Sequence, residues 1–215
     1  MKIAETVTFG GSALDRAAER RKDLAAIRKE PTTRVVLLWR GKPMIADDAL
    51  VRVPVDHSIL DDARTGQVLL GRDAAGMVLA ADMSDWEPQG GDPAQLDSFL
   101  DATEQQHPAV PDGVFAELRG IMTRLSPRDA ELAATAKAIL GWHQTHRFCA
   151  QCGQKSVMAV AGWQRDCPSC GNHHFPRTDP VVIMLITKGN AVLVGRSPGW
   201  PDGMYSLLDG FVEQG

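Results

Sequence analysis

The chain has 215 residues, 44% of them apolar, and a formal net charge of −4. That length allows one large domain or two smaller ones with a real core, and the acidic balance argues against a general nucleic-acid binder, which would be basic. The longest uninterrupted apolar run, residues 181–186, is too short to span a bilayer, and the start Met-Lys-Ile-Ala-Glu-Thr-Val has no apolar signal core, so reduced thiols and a cytoplasmic location are expected.

Three zones are expected, over residues 1–145, 146–177 and 178–215. The first opens with a polar, charge-rich stretch, 13–30, that reads as a surface helix. Residues 33–39 (Thr-Arg-Val-Val-Leu-Leu-Trp) read as a buried strand, Arg40-Gly41-Lys42 as a turn, and Pro43-Met44-Ile45 as the return strand. The apolar runs at 67–71 and 77–81 flank 72–76 and predict a second hairpin. Residues 93–103 read as a short helix with Leu96, Phe99 and Leu100 on one face. Val114, Phe115, Leu118, Ile121, Met122 and Leu125 recur at helical spacing and predict a core-facing helix. The next helix starts at Ser126-Pro127-Arg128-Asp129, with Ser126 as N-cap, Pro127 in the first turn and Asp129 complementing the dipole. Ala133, Ala136, Ile139, Leu140 and His143 form its inner face.

All four cysteines fall in the second zone, as Cys149-Ala-Gln-Cys152 and Cys167-Pro-Ser-Cys170 with fourteen residues between the pairs. Two C-x-x-C turns at this spacing each present two thiolates, and a short hairpin between them completes a tetrahedral four-sulfur zinc site. Such a site is closed and leaves no position for substrate, so it is a structural staple. Two disulfides would suit a secreted chain, and a redox C-x-x-C would occur once; both readings are weaker. Gly153 and Gly171 supply the positive φ such turns need. His143, His146, His173 and His174 lie close by and are expected to be solvated or to support the ligands.

In the third zone, 181–187 reads as a strand, 188–190 as a hairpin turn, 191–195 as the partner strand and 197–203 as a loop. Leu208-Asp-Gly-Phe-Val-Glu-Gln-Gly215 follows. Gly210 fits the first glycine of a Nudix box, a weak sign by itself. It gains force from the order Arg147-Phe-Cys-Ala-Gln-Cys-Gly, Cys-Pro-Ser-Cys-Gly, Phe175-Pro-Arg-Thr-Asp-Pro-Val-Val-Ile, then Ser206-Leu-Leu-Asp-Gly-Phe-Val-Glu. This set resembles the NADH pyrophosphatase (NAD diphosphatase) branch of the Nudix hydrolases, strongly over 140–215 and more weakly before.

The resemblance implies an α+β fold: an N-terminal degenerate Nudix-like domain, the zinc ribbon, and the first strands of a Nudix α/β/α sandwich. It implies hydrolysis of NAD(H) to nicotinamide mononucleotide and AMP, with NAD-capped RNA as a second substrate, Mg²⁺ or Mn²⁺ in turnover, and a homodimer. The catalytic glutamates are expected beyond Gly215, and Glu213 is a variable position of the box. By resemblance the backbone carbonyl of Asp209, where the family usually has Ala, is a ligand to the catalytic ion. Phe175 and Arg119 are the substrate-contact positions, against packing and a solvated helix position as their ordinary roles. Arg177 and Asp179 are expected to fix the junction of ribbon and Nudix zone. If the protein ends at Gly215, the alternative is a non-catalytic nucleotide-binding or scaffold module. A zinc-ribbon nucleic-acid binder is opposed by the acidic balance.

Overall fold

Val35-Val-Leu-Leu-Trp39 has no polar residue to turn outward, so as a strand it must be covered on both faces. In the computed structural model, which describes residues 7–88 and 103–213, this run lies in β1 (Arg34–Trp39) and is buried throughout. β1 belongs to an eight-stranded sheet with β2 (Lys42–Ala46), β3 (Ala49–Leu50), β4 (Arg52–Pro54), β5 (Val68–Asp73), β6 (Gly76–Asp82), β7 (Gln105–Gln106) and β8 (Val114–Phe115). The order is β5-β6-β1-β2-β8-β7, with β3 on β2 and β4 on β1. The β1–β6 pairing is parallel and the others are antiparallel.

Alternation along the strands splits the core into two layers. Val36, Leu38, Leu70 and Val78 join one, with Ala133, Ala136 and Leu140 of helix α3 (Pro127–Thr145). Val35, Leu37, Trp39 and Leu79 join the other, with Ile27 of helix α1 (Leu24–Ile27), Ile59 and Phe115. The β1–β2 turn is the predicted one. Arg40 (φ 48°) and Gly41 (φ 78°) are both left-handed, the backbone that matches hairpin twist. Helix α3 also starts as predicted, with the Asp129 N–H donating to Ser126 Oγ at 3.1 Å. Arg52 then bridges Asp129 (2.7 Å) and Asp73 (2.6 Å), tying the helix start to the sheet.

Two expected helices do not form as read. Over 13–30 there is a 3₁₀ turn, Ala18–Arg20, and one turn of α1. Ala17 is left-handed (φ 46°), with its N–H on Asp15 Oδ1 at 2.9 Å, while the Asp15 carbonyl accepts from the Arg72 N–H at 2.7 Å. The segment is thus drawn onto the edge of β5, where pairing outweighs weak helical propensity. Within 114–125, Val114 and Phe115 form strand β8 opposite Ile45 and Met44, and the helix is reduced to α2 (Leu118–Ile121). Adjacent apolar residues fit a strand as well as a helix, and Val114 and Phe115 pack into opposite layers. The expected helix at 93–103 falls, apart from Thr103, outside the described residues.

A three-stranded antiparallel sheet follows α3, in the order β11-β10-β9, from β9 (Val157–Ala159), β10 (Gln164–Asp166) and β11 (His173–His174). The chain forms two compact units, residues 1–176 and 177–215. In the second unit β12 (Val181–Met184) pairs with β15 (Leu208–Phe211). β13 (Thr187–Lys188) pairs with β14 (Ala191–Val192). The strand expected over 181–187 is therefore divided: Val181–Met184 pairs with β15, while Thr187 takes the expected hairpin partner and the Leu193 N–H donates to Ile186 O at 2.9 Å. Throughout β12 the side chains are exposed. The described residues form an α+β fold with few helices, an eight-stranded sheet domain and a four-cysteine ribbon.

Candidate functional site

The two C-x-x-C turns are built alike. In the first, the Cys149 N–H donates to Gln154 O (2.8 Å) and the Gly153 N–H to Cys149 O (2.9 Å). In the second, the Cys167 N–H donates to Asn172 O (2.9 Å) and the Gly171 N–H to Cys167 O (2.9 Å). Gly153 and Gly171 sit at φ 74° and 73° with no atom within 4 Å of where a Cβ would be, so backbone conformation alone calls for glycine.

The turns face each other. Cys149 and Cys170 sulfurs are 3.6 Å apart, Cys152 and Cys167 sulfurs 3.5 Å, and all four lie within 4.8 Å of one another. Zinc–sulfur bonds of about 2.3 Å in a tetrahedron require sulfurs about 3.8 Å apart. The cysteines therefore fit a structural zinc ion. Burial pushes the Cys149 thiol up, but the Cys152 N–H and His174 outweigh it and bring it to about 6; the Asn172 N–H favours the Cys170 thiolate, but the neighbouring sulfurs and burial together outweigh it and push Cys170 up to about 12. Four thiolates at this distance need a cation to coexist. His174 Nε2 lies 3.3 Å from Cys149 Sγ, where it can donate to a thiolate.

The ribbon is locked to the sheet domain by a short loop. Gly162 lies so close to Val68 that a Cβ would come within 2.6 Å of its Cγ2, and Trp163 Nε1 donates to Leu69 O at 2.7 Å. Arg21 stacks on the Trp163 ring at 3.9 Å. His143 completes the joint: its Nε2 is 2.8 Å from Gly162 O and its Nδ1 2.9 Å from Arg165 Nη1. Nε2 carries the proton and Nδ1 accepts. Burial first, then the charge of Arg165, push His143 down to about 4, against the Gly162 carbonyl that favours the cation. His143 is thus a buried, neutral joint on the inner face of α3, where a solvated or ligand-supporting residue was expected. His173 pairs with Asp166 at 2.7 Å, and His146 Nδ1 lies 2.8 Å from Thr145 Oγ1.

Beside this joint a cleft of about 790 Å³ opens between the sheet domain and the ribbon, with Arg64, Asp82, Asp85, Arg147, Lys155 and Arg165 among its walls. Arg165 is 7% exposed. Nothing in the local pattern Gln164-Arg165-Asp166 marks its central residue for burial, so sequence reasoning passed over it. Of the residues singled out from the sequence, the structure brings the four cysteines together. Phe175 is exposed in the first unit, as is Arg119 on α2, and neither lines the cleft. Asp209 lies in β15 opposite Ile183. Arg177 and Asp179 pair with each other at 2.8 Å.

A family profile described as NADH pyrophosphatase-like rudimentary NUDIX domain matches residues 32–142, and one described as NADH pyrophosphatase zinc ribbon domain matches 144–175. The chain is 44% identical over 103 residues to the human "NAD(P)H pyrophosphatase NUDT13, mitochondrial", a stretch that is 48% of this chain and 29% of that protein. The mouse protein of the same name is 41% identical over the same length. The "NAD-capped RNA hydrolase NudC" of Mycobacterium tuberculosis is 41% identical over 100 residues, 46% of this chain and 32% of that protein. The chain thus spans about a third of the length of the curated relatives it matches. With the first profile covering more than half of its residues and the second falling on the four-cysteine ribbon, the chain belongs to the NADH pyrophosphatase branch of the Nudix family.

Proposed function

We propose that the protein hydrolyses the pyrophosphate bond of NAD(H), giving nicotinamide mononucleotide and AMP, and that NAD-capped RNA is a second substrate. The observation that carries this reading is the relatives themselves: proteins named for NAD(P)H pyrophosphatase and NAD-capped RNA hydrolase activity are more than 40% identical to this chain across the matched stretch. Both names describe hydrolysis of a substrate that carries a nicotinamide dinucleotide.

Mg²⁺ or Mn²⁺ belongs to this proposal, because a divalent ion would offset the charge around the attacked phosphorus. The Asp209 backbone carbonyl is proposed as one ligand. Among the described residues the four cysteines are the one group of three or more metal-ligating side chains. Phe175, exposed and aromatic, is proposed to stack on a ring of the substrate, and Arg119 to meet its phosphates. A homodimer is proposed on the family resemblance, and a reducing, cytoplasmic location on the thiolates the zinc site needs.

The test is to express the complete reading frame, supply NADH with Mn²⁺, and separate the products by chromatography. AMP and reduced nicotinamide mononucleotide in equal amounts are expected. A zinc-loaded, folded protein that releases neither would contradict the reading and favour the nucleotide-binding module.

A further inference from the structure

The cleft between the sheet domain and the ribbon has more positive charge than its own residues neutralise. Its two acidic groups are both taken by Arg64, whose Nη1 is 2.9 Å from Asp82 and Nη2 2.6 Å from Asp85. Arg147, Lys155 and Arg165 also line it, and among the described residues none of the three forms an ion pair with a carboxylate.

Arg165 is the unusual member. It is 93% buried, yet all its partners are neutral: Nε donates to Ser156 Oγ (2.9 Å), Nη2 to Ser156 O (2.6 Å) and Nη1 to His143 Nδ1 (2.9 Å). A guanidinium has five N–H groups, so these contacts fix its plane and leave two donors. A buried charge without a counter-ion is costly unless something offsets it. The same serine positions the second cation, because the Arg147 carbonyl accepts from both the Ser156 N–H (2.9 Å) and its hydroxyl (3.1 Å). Lys155 is the next residue along, in a β-bridge with Phe148. One residue, Ser156, thus anchors Arg165 and Arg147, and the zinc turn between Arg147 and Lys155 holds both ends of the set.

We infer that this cleft is an anion-binding site for a phosphoryl group, held by Arg165 from its floor and by Arg147 and Lys155 at its mouth. A planar guanidinium with two donors to spare suits two phosphoryl oxygens, and three cations match a dianion better than a carboxylate. The group could come from a nucleoside monophosphate or from inorganic phosphate. The inference rests on charge and burial and stands whether or not NADH is hydrolysed.

The experiment is calorimetric titration of the zinc-loaded 215-residue chain with AMP, inorganic phosphate and adenosine at low ionic strength. AMP and phosphate are expected to bind and adenosine not. Tighter binding of AMP identifies a nucleotide as the ligand, and equal binding identifies the phosphoryl group alone. Lys155→Glu, at an exposed side chain, should weaken binding by about tenfold. Arg147→Ala with Lys155→Ala should abolish it while the melting temperature stays within a few degrees. Arg165→Gln should abolish it as well, but because that variant risks the fold, the two mouth positions decide. Absence of binding at millimolar phosphate and AMP, equal binding of adenosine, or affinity unchanged by Lys155→Glu would overturn the inference.

Discussion

Two apolar runs of nearly the same character meet opposite fates in this molecule. Val35-Val-Leu-Leu-Trp39 lies in β1 with Leu37 at 0% exposure, and Val181-Val-Ile-Met-Leu-Ile186 opens β12 with Ile183 at 62%. In the first unit each face of the strand meets a layer built by this chain. In the second, β12 with β15 and β13 with β14 form two-stranded pieces among the described residues, with Phe211, Leu185 and Tyr205 exposed as well. Apolar sequence sets a demand for burial; the number of neighbours the chain supplies decides whether it is met. A two-stranded sheet is marginally stable at best in water, so the second unit should contribute little to the folding free energy.

Zinc should separate the two regions most sharply. Metal analysis should give one zinc per chain, and Cys152→Ser should lose it together with the ribbon fold, since structural zinc contributes on the order of 10 kcal/mol of folding free energy in small domains. Full zinc content in a Cys152→Ser, Cys167→Ser double variant would contradict the site. The melting of β12 should not respond to the metal.

The next contrast is cavity formation. Leu37→Ala should cost about 2–5 kcal/mol in urea unfolding. Ile183→Ala, at an exposed position, should fall within about 0.5 kcal/mol of the parent protein. Equal losses would show that β12 is packed in solution.

Acid should act on the first unit through His143. Its folded value of about 4 lies below the ordinary 6.5, so as pH falls the unfolded chain takes up the proton first. Stability from this group is complete above about pH 6.5 and is lost progressively toward pH 4, on the order of 3 kcal/mol in all. His143→Gln can keep both hydrogen bonds without titrating, and should flatten that part of the stability curve. A slope unchanged by the substitution would mean the imidazole is not held neutral. The smallest effect expected is at the zinc turns: Gly153→Ala should cost about 1 kcal/mol, because it strains the backbone at φ 74° without a clash.

Much of this was legible in the sequence. Cysteine spacing gave the zinc site because ligand geometry is local to two tight turns. The Arg40-Gly41 hairpin and the Ser126 cap were readable for the same reason. The helix expected at 13–30 failed because the edge of β5, far along the chain, competes for Asp15. The stripe at 114–125 failed because Val114-Phe115 suits either period, and β2 supplies a partner. Arg165 and His143 were not legible as a joint, since each is marked only by what the other end of the fold brings to it. The likeness to NADH pyrophosphatases entered through ordered motifs, which carry more information than periodicity.

Hydrogen exchange followed by mass spectrometry on the dilute, zinc-loaded chain tests the contrast most directly. Amides of Val35 to Leu38 should exchange only through global unfolding, and those of Val181 to Met184 orders of magnitude faster. Equal protection of the two strands would show that the second unit is a finished, independently stable fold, and would contradict the account.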